Sequence, residues 1–119
     1  MVAGDASYVP EKGDIVWISF TPHAGHEQAS RRPAIVLSPG TYNRKSGLAL
    51  FCPITSMIKG YPFEVVLPDT GTIKGVILAD QIKSLDWRAR RAEFACRAAR
   101  RIVDEASGKV RAILEQEGY

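Results

Sequence analysis

The feature that most constrains the fold is a series of short β-type runs separated by turn residues. Each run is rich in β-branched or aromatic residues, as is typical of strands. The runs are DIVWISF (14–20), PAIVL (33–37), LALFCPI (48–54), FEVVL (63–67) and GVILA (75–79). The last two flank PDTGTIK, which predicts a hairpin with a longer loop. Five strands in about 65 residues predict a small antiparallel barrel or sandwich.

Only the C-terminal region has a clear helical pattern. Its apolar residues recur three or four positions apart, which predicts a helix packed through one face. Gly108 disfavours this helix by about 1 kcal/mol relative to alanine. The turn-rich segment SPGTYNRKSG, residues 38–47, has room for one short helical turn. The residues of the predicted apolar stripe are Ile102, Ala106, Val110, Ile113 and Leu114.

Composition places the chain among ordinary globular proteins. The 119 residues are 45% hydrophobic and 24% charged, and they predict a single domain, residues 1–119, with one core. The N-terminal residues lack the apolar region of a signal peptide, and no apolar run is long enough for a membrane helix, so a cytoplasmic protein is expected. Cys52 and Cys96 fit neither a disulfide framework nor a metal-ligand spacing, and we predict buried thiols.

The distribution of positive charge is more informative than its total. The net charge is +3 and the sequence pI is about 9.0. A polyanion is one plausible partner for the crowded arginines, and a solvated arginine-rich face is the ordinary alternative. Charge alone does not decide between them. The crowded positions are Arg88, Arg90, Arg91, Arg97, Arg100 and Arg101, and further cations in predicted loops are Arg31, Arg32, Arg44, Lys45 and Lys59.

Few residues have the spacing of a known catalytic constellation. His23 and His26 lack a third ligand nearby, so loop histidines are a better interpretation than a metal pair. No phosphate-binding glycine loop, nucleophile elbow or Cys-His arrangement is present. Glu27 on its own fits a solvated loop acid, and Thr55 and Ser56 on their own fit turn residues that bond their own backbone.

Two arginines stand directly before a predicted core strand. Arg31 and Arg32 precede Pro33 and the apolar run that follows it. A loop exposed to solvent needs no particular charge there. A site that must hold a guanidinium still would use the residue next to a rigid strand, because little side-chain freedom then remains to be lost on binding.

Several motifs taken together resemble the MazF/PemK family of toxin endoribonucleases. They are GDIVWISFTPHAGHEQASRRPAIVLSPGTYNRKSG, then CPITS, KGYPFEVVLP and GVILADQIKSLDWRARR, in the family's order and spacing, from Tyr8 to about Arg91. The resemblance implies an SH3-like barrel, a homodimer, and metal-independent cleavage of single-stranded RNA at short sequences through attack by the 2′-hydroxyl. It also implies inhibition by a cognate MazE-like antitoxin, expected to act through an acidic, disordered segment. No cofactor is expected, and no membrane partner.

The resemblance also assigns residues. The family's catalytic arginine and threonine correspond to Arg32 and Thr55, and its loop glutamate corresponds to Glu27. For proton transfer from the 2′-hydroxyl, the family assigns its arginine, whereas the high pKa of a guanidinium favours Glu27, and the sequence leaves both open. The segment from Glu93 to Arg101 has no counterpart in the family motifs. Residues expected to contact RNA are Phe20, Gln28, Ser56, Lys59, Gln81 and Arg88.

Two non-nuclease functions are compatible with a small barrel. A CcdB-like toxin binds a topoisomerase and cleaves nothing, and an SH3-like adaptor binds peptides; fold alone does not separate these from a nuclease. The motifs RRPA and CPITS favour the nuclease, because a peptide-binding module has no use for them.

Overall fold

The computed structural model describes residues 8–20 and 31–115. Neither helix in these ranges is long and apolar enough to cross a membrane. Within them the chain forms strands β1 (Asp14–Ser19), β2 (Arg31–Val36), β3 (Leu48–Thr55), β4 (Glu64–Leu67), β5 (Gly75–Leu78), β6 (Lys83–Asp86) and β7 (Glu93–Arg97), helices α1 (Gly40–Ser46) and α2 (Arg100–Glu115), and a 3-10 turn (Ala79–Gln81).

The strands form one curled antiparallel sheet. Its order is β4-β5-β3-β2-β1-β7, and β6 also pairs with β3. The first half of β3 pairs with β6, and its last two residues pair with Ile77 and Val76 of β5. Strands β6 and β5 pair with successive parts of the long strand β3. The sheet therefore bends around β3 into a half-barrel. The predicted mainly-β antiparallel barrel with a C-terminal helix is confirmed.

Both faces of the sheet are buried, each against its own apolar cluster. In β1 the side chains divide between the clusters, with Ile15 in one and Val16 and Ile18 in the other, across a bulge between Ile15 and Val16. Helix α2 covers the first cluster. Phe51, which is fully buried, belongs to the second. Burial of each such large side chain contributes about 1.5–3 kcal/mol, so the sheet is a rigid support for residues at its ends.

A buried asparagine ties helix α1 to the sheet. The Asn43 side chain donates to the carbonyls of Pro10 and Ser38 at 2.8 and 3.0 Å and accepts from the Ser38 hydroxyl at 2.6 Å. Its own carbonyl accepts the Trp87 indole N–H at 2.9 Å. The short helical turn expected within residues 38–47 is thus confirmed, and hydrogen bonds satisfy its buried polar groups.

The predicted stripe on the C-terminal helix is only partly correct. Ile102, Val103 and Ala106 are buried, whereas Ile113 and Leu114 are 38% and 79% exposed. The helix packs on β4 and the 3-10 turn, and its last turn extends beyond the surface that it covers. Spacing predicts which residues share a helix face, and the extent of the neighbouring sheet decides how many of them are buried.

The cysteine prediction holds fully for one of the two thiols. Cys52 is buried, and this burial raises the pKa of its thiol to about 12. Cys96, on the edge strand β7, is only partly buried. It has fewer neighbours to cover it because β7 pairs with β1 on one side only.

Candidate active site

The ends of β2 and β3 bring two predicted catalytic residues together. These strands pair antiparallel, with Ala34 opposite Pro53. Continuing that register by two residues places Arg32 opposite Thr55, and the alternation of side chains puts both on one face. Both line a cleft of about 310 Å³ at this end of the sheet. Arg32 and Thr55 are 23 positions apart in sequence, so the strand pairing is what creates the site.

Arg32 is held at its backbone, and its guanidinium has no bonding partner among the described residues. Its backbone lies in β2, paired with Ile18 of β1 and followed by Pro33. Its side chain is exposed. It has no hydrogen bond or ion pair to another residue within 8–20 or 31–115. A planar, permanently charged guanidinium that is anchored to a fixed backbone and has no partner among the described residues suits a phosphate, whose oxygens match two guanidinium N–H groups at once.

The neighbouring Arg31 also borders the cleft but is bonded to the scaffold. Its side chain is 14% exposed. It donates to the Ser19 hydroxyl and the Trp17 carbonyl of β1, at 3.2 and 3.3 Å. It also donates to the Arg91 carbonyl at 2.9 Å and pairs with the Glu93 carboxylate at 3.3 Å. Arg31 therefore ties the start of β2 to β1 and to the start of β7, a role that the sequence did not reveal.

Thr55 is both a turn residue and a member of the cleft. It ends β3 and is partly buried, and its Oγ1 accepts the Met57 backbone N–H at 3.1 Å. This bond fulfils the ordinary turn interpretation. It also holds the oxygen in place and leaves the hydroxyl hydrogen to donate. Ser56 follows in the same cleft and is exposed.

The opposite wall of the cleft comes from the loop before β5. Thr72, Ile73 and Lys74 line it. Ile73 is 5% exposed and anchored in the first apolar cluster, and the Thr70 hydroxyl accepts its backbone N–H at 3.0 Å. This anchoring presents Lys74 beside the cleft as a third cation, after Arg31 and Arg32. The sequence predicted only a hairpin loop here and did not reveal the wall; the one signal was a lysine just before a strand.

Two predicted RNA contacts, Phe20 and Gln81, do not line the cleft. Phe20 packs partly against the second apolar cluster, and the Lys83 ammonium lies 5.5 Å from its ring centre. By strand alternation it follows Ile18 on the face that carries Arg32. Gln81 is exposed at the end of the 3-10 turn.

Two other predicted contacts also lie outside the lining. Lys59 is exposed, with its ammonium 5.9 Å from the Tyr61 ring centre. The Arg88 guanidinium stacks over the Trp87 ring at 4.9 Å. The predicted Glu27 and Gln28, like His23 and His26, fall outside the residues that the structure describes.

The arginine-rich segment is partly structural. Neither a polyanion-binding surface nor a solvated arginine-rich face, the two interpretations of its charge, anticipated this. Arg90 donates to the carbonyls of Ser19 and Phe20. Arg97 pairs at 2.6 Å with Asp14, a buried carboxylate. These bonds attach β7 and the turn before it to β1. In the described part of the chain no three His, Cys, Asp or Glu side chains gather as a metal-binding group.

The fold and the cleft together define a small β-barrel protein whose cleft suits a phosphodiester. The fold is a small curled antiparallel barrel, and its cleft places a guanidinium with no partner in the described part of the chain, a hydroxyl donor and a lysine at the ends of rigid strands. This donor set suits a phosphodiester, because all three groups stabilise negative charge on phosphate oxygens.

Comparison with known proteins assigns the family. Residues 11–114 match the profile of the PemK-like, MazF-like toxin of type II toxin-antitoxin systems. The chain is 57% identical over 83 residues to the endoribonuclease toxin MazF of Escherichia coli K12, covering 70% of this chain and 74% of that relative. It therefore belongs to the MazF/PemK family of toxins.

Solved structures agree with this assignment. A crystal structure of MazF from Deinococcus radiodurans matches with a TM-score of 0.82 and 53% identity, over 92% of this chain and 99% of that one. A MazE-MazF complex from the same organism matches with a TM-score of 0.83 and 50% identity, over 92% and 100%. The resemblance inferred from the motifs is confirmed.

Proposed function

We propose that this chain is the toxin of a toxin-antitoxin system and acts as a sequence-specific, metal-independent endoribonuclease on single-stranded RNA. The observation that carries the proposal is the exposed guanidinium of Arg32, which shares one cleft with the Thr55 hydroxyl and has no partner within residues 8–20 and 31–115. Relatives named as endoribonucleases support it. The same relatives disfavour a topoisomerase-binding toxin.

In the proposed reaction the ribose 2′-hydroxyl attacks the adjacent phosphorus. A bond forms between O2′ and phosphorus while the bond from phosphorus to O5′ breaks, giving a 2′,3′-cyclic phosphate and a 5′-hydroxyl. The reaction is internal to the RNA, so the protein has to orient the nucleophile and stabilise charge on the phosphate. Arg32 would bind two nonbridging oxygens with its planar fork, and Thr55 would donate a third hydrogen bond.

Proton transfer requires a base for O2′ and an acid for O5′. We assign the base to Glu27, because a guanidinium stays protonated at physiological pH and is costly to deprotonate. Arg32, already beside the phosphate, would donate a hydrogen bond to the leaving O5′, and solvent water would supply the proton that completes the 5′-hydroxyl while protonated Glu27 returns its proton to solvent. Glu27→Gln is expected to slow cleavage by removing the base while keeping the size and hydrogen-bonding capacity of the side chain.

RNA and antitoxin are proposed to use the same surface. Unstacked bases fit beside Phe20, Lys59, Gln81 and Arg88, and Gln28 and Ser56 are placed next to the catalytic residues in sequence. A MazE-like antitoxin with an acidic, disordered segment would cover these cations. We propose that the toxin is a homodimer and acts in the cytoplasm, where its RNA is found.

The test is cleavage of a long single-stranded RNA by purified protein in excess EDTA, with both fragment ends mapped. We expect cuts at one short sequence, cyclic or 3′-phosphate ends upstream, 5′-hydroxyl ends downstream and no loss of rate with the chelator. Chelator-sensitive cleavage or 5′-phosphate ends would contradict the mechanism. Arg32→Ala, purified in parallel, controls for contaminating nuclease.

A further inference from the structure

Gly75 makes an unusually close backbone approach to Thr55. A Cβ atom added at Gly75 would lie 2.1 Å from the Thr55 carbonyl oxygen and 2.8 Å from its carbonyl carbon. It would lie 3.1 Å from the Ser56 Cα. All three obstacles are backbone atoms that no rotamer change can move. Gly75 also has φ +131°, which side chains of L-residues rarely adopt.

The position of Gly75 gives this contact a role in the cleft. Gly75 is the first residue of β5 and directly follows Lys74, on the wall opposite Arg32. The next residue, Val76, pairs with Thr55. Gly75 therefore stands where the two walls of the cleft meet, and its missing side chain sets their spacing at the residue that carries the hydroxyl.

We propose that Gly75 is a positioning residue for Thr55. By allowing β5 to lie against the Thr55 carbonyl, it fixes the direction of the Thr55 hydroxyl toward a phosphate bound by Arg32. A side chain at this position would push the end of β3 away and misdirect the hydroxyl without touching the RNA. The inference rests on the proposed nuclease function, and it adds a residue that acts only through Thr55.

The first test is Gly75→Ala, with Gly47→Ala as matched control. Gly47 also has a positive φ, +77°, but an added Cβ there meets nothing within 4 Å, and it lies after α1 away from the cleft. We expect Gly75→Ala to lower kcat at least about tenfold with KM within about threefold of wild type. The control should keep wild-type kcat and KM. An unchanged kcat in folded Gly75→Ala would overturn the proposal.

A double-mutant cycle separates positioning from general damage. If Gly75 acts through Thr55, Gly75→Ala should cost little more than about twofold in a Thr55→Ala background, because the hydroxyl is already gone. A merely structural residue would lower the rate equally in both backgrounds. Equal losses would therefore overturn the proposal, even if the single variant is slow.

A mirror-image residue keeps the proposal testable if Gly75→Ala does not fold. D-alanine favours positive φ and projects its Cβ away from the direction that meets Thr55. The protein can be assembled from segments joined at Cys52 and Cys96. We expect D-alanine in place of Gly75 to give a folded protein that cleaves within about threefold of synthetic wild type. A loss above tenfold would overturn the proposal, whereas inactivity of wild type itself would instead refute the proposed function.

Discussion

Arg31 and Arg32 are neighbours in sequence with opposite structural roles. The Arg31 side chain bonds to β1, to the turn before β7 and to Glu93 at the start of β7. The Arg32 side chain is exposed beside Thr55 and has no bonding partner among the residues described. Successive side chains of β2 point to opposite faces of the sheet, so the two side chains meet different neighbours, although both reach the cleft at the sheet end.

The contrast shows how a small barrel can hold a cation of the proposed active site without pairing it with a described side chain. A guanidinium that is bonded on one face fixes the backbone, and the backbone fixes the next guanidinium on the other face. In the proposed mechanism the bonded arginine contributes mainly to stability, and Arg32 contributes mainly to activity. Arg90 and Arg97 extend the bonded group, because both tie the β7 region to β1.

Arg32→Ala should have the largest effect of these variants. This effect should be on activity and not on stability. We expect cleavage to slow by at least about 100-fold, roughly 2.7 kcal/mol of transition-state stabilisation. The free energy of unfolding should change by no more than about 0.5 kcal/mol, as for other exposed side chains. Single-turnover cleavage and urea denaturation of the same preparations measure the two quantities.

The matched variant Arg32→Lys tests geometry at constant charge. Lysine lacks the planar fork, so the cleavage rate should still fall at least about tenfold. Folded Arg32→Ala that retains activity within tenfold of wild type would show that Arg32 is not catalytic.

Arg31→Ala tests whether the bonded arginine stabilises the fold. We expect a loss of about 1–3 kcal/mol in the free energy of unfolding, because several hydrogen bonds disappear together and carbonyls lose a partner. The pair with Glu93 contributes little of this, since that carboxylate is 72% exposed. Glu93→Gln is the control and should cost under about 0.5 kcal/mol. If Arg31→Ala leaves stability unchanged, the bonded arginine is not a scaffold residue.

Lys74→Ala should have the smallest effect. It tests whether the opposite wall of the cleft contacts RNA. Lys74 lies in the cleft, so its loss should weaken RNA binding a few-fold and reduce the slope of log affinity against log salt by about 0.7. Lys45→Ala is the control, since Lys45 is exposed in the last turn of α1 and outside the cleft lining. Identical salt slopes for the two variants would remove Lys74 from the site.

Sequence patterns predicted the strands with strong apolar character. The bounds of β1 to β5 agree with the predicted runs to within two residues. Strands β6 and β7 were not predicted. In β6 only Leu85 is buried, and β7 is an edge strand with exposed or half-buried side chains, so neither carries a clear alternation. Their strand structure comes from pairing with β3 and β1, which are distant in sequence.

The lining of the candidate cleft was predicted only in part, for the same physical reason. Family motifs identified Arg32 and Thr55, and the structure places both in one cleft. The opposite wall, Arg31's bonds and the approach of Gly75 to Thr55 depend on contacts between residues far apart in the chain. No local pattern encodes such contacts.

A single 2′-deoxy substitution in the RNA tests directly whether the ribose 2′-hydroxyl is the nucleophile. The hydroxyl is removed only at the nucleotide before the cleaved bond, in an RNA otherwise identical to a cleaved one. Wild-type protein should not cut this strand. It should bind the strand with an affinity within about threefold of its affinity for the uncut all-ribose RNA, because the phosphates and bases are unchanged. Cleavage of the substituted strand at the same bond would contradict 2′-hydroxyl attack and the roles assigned to Arg32 and Thr55.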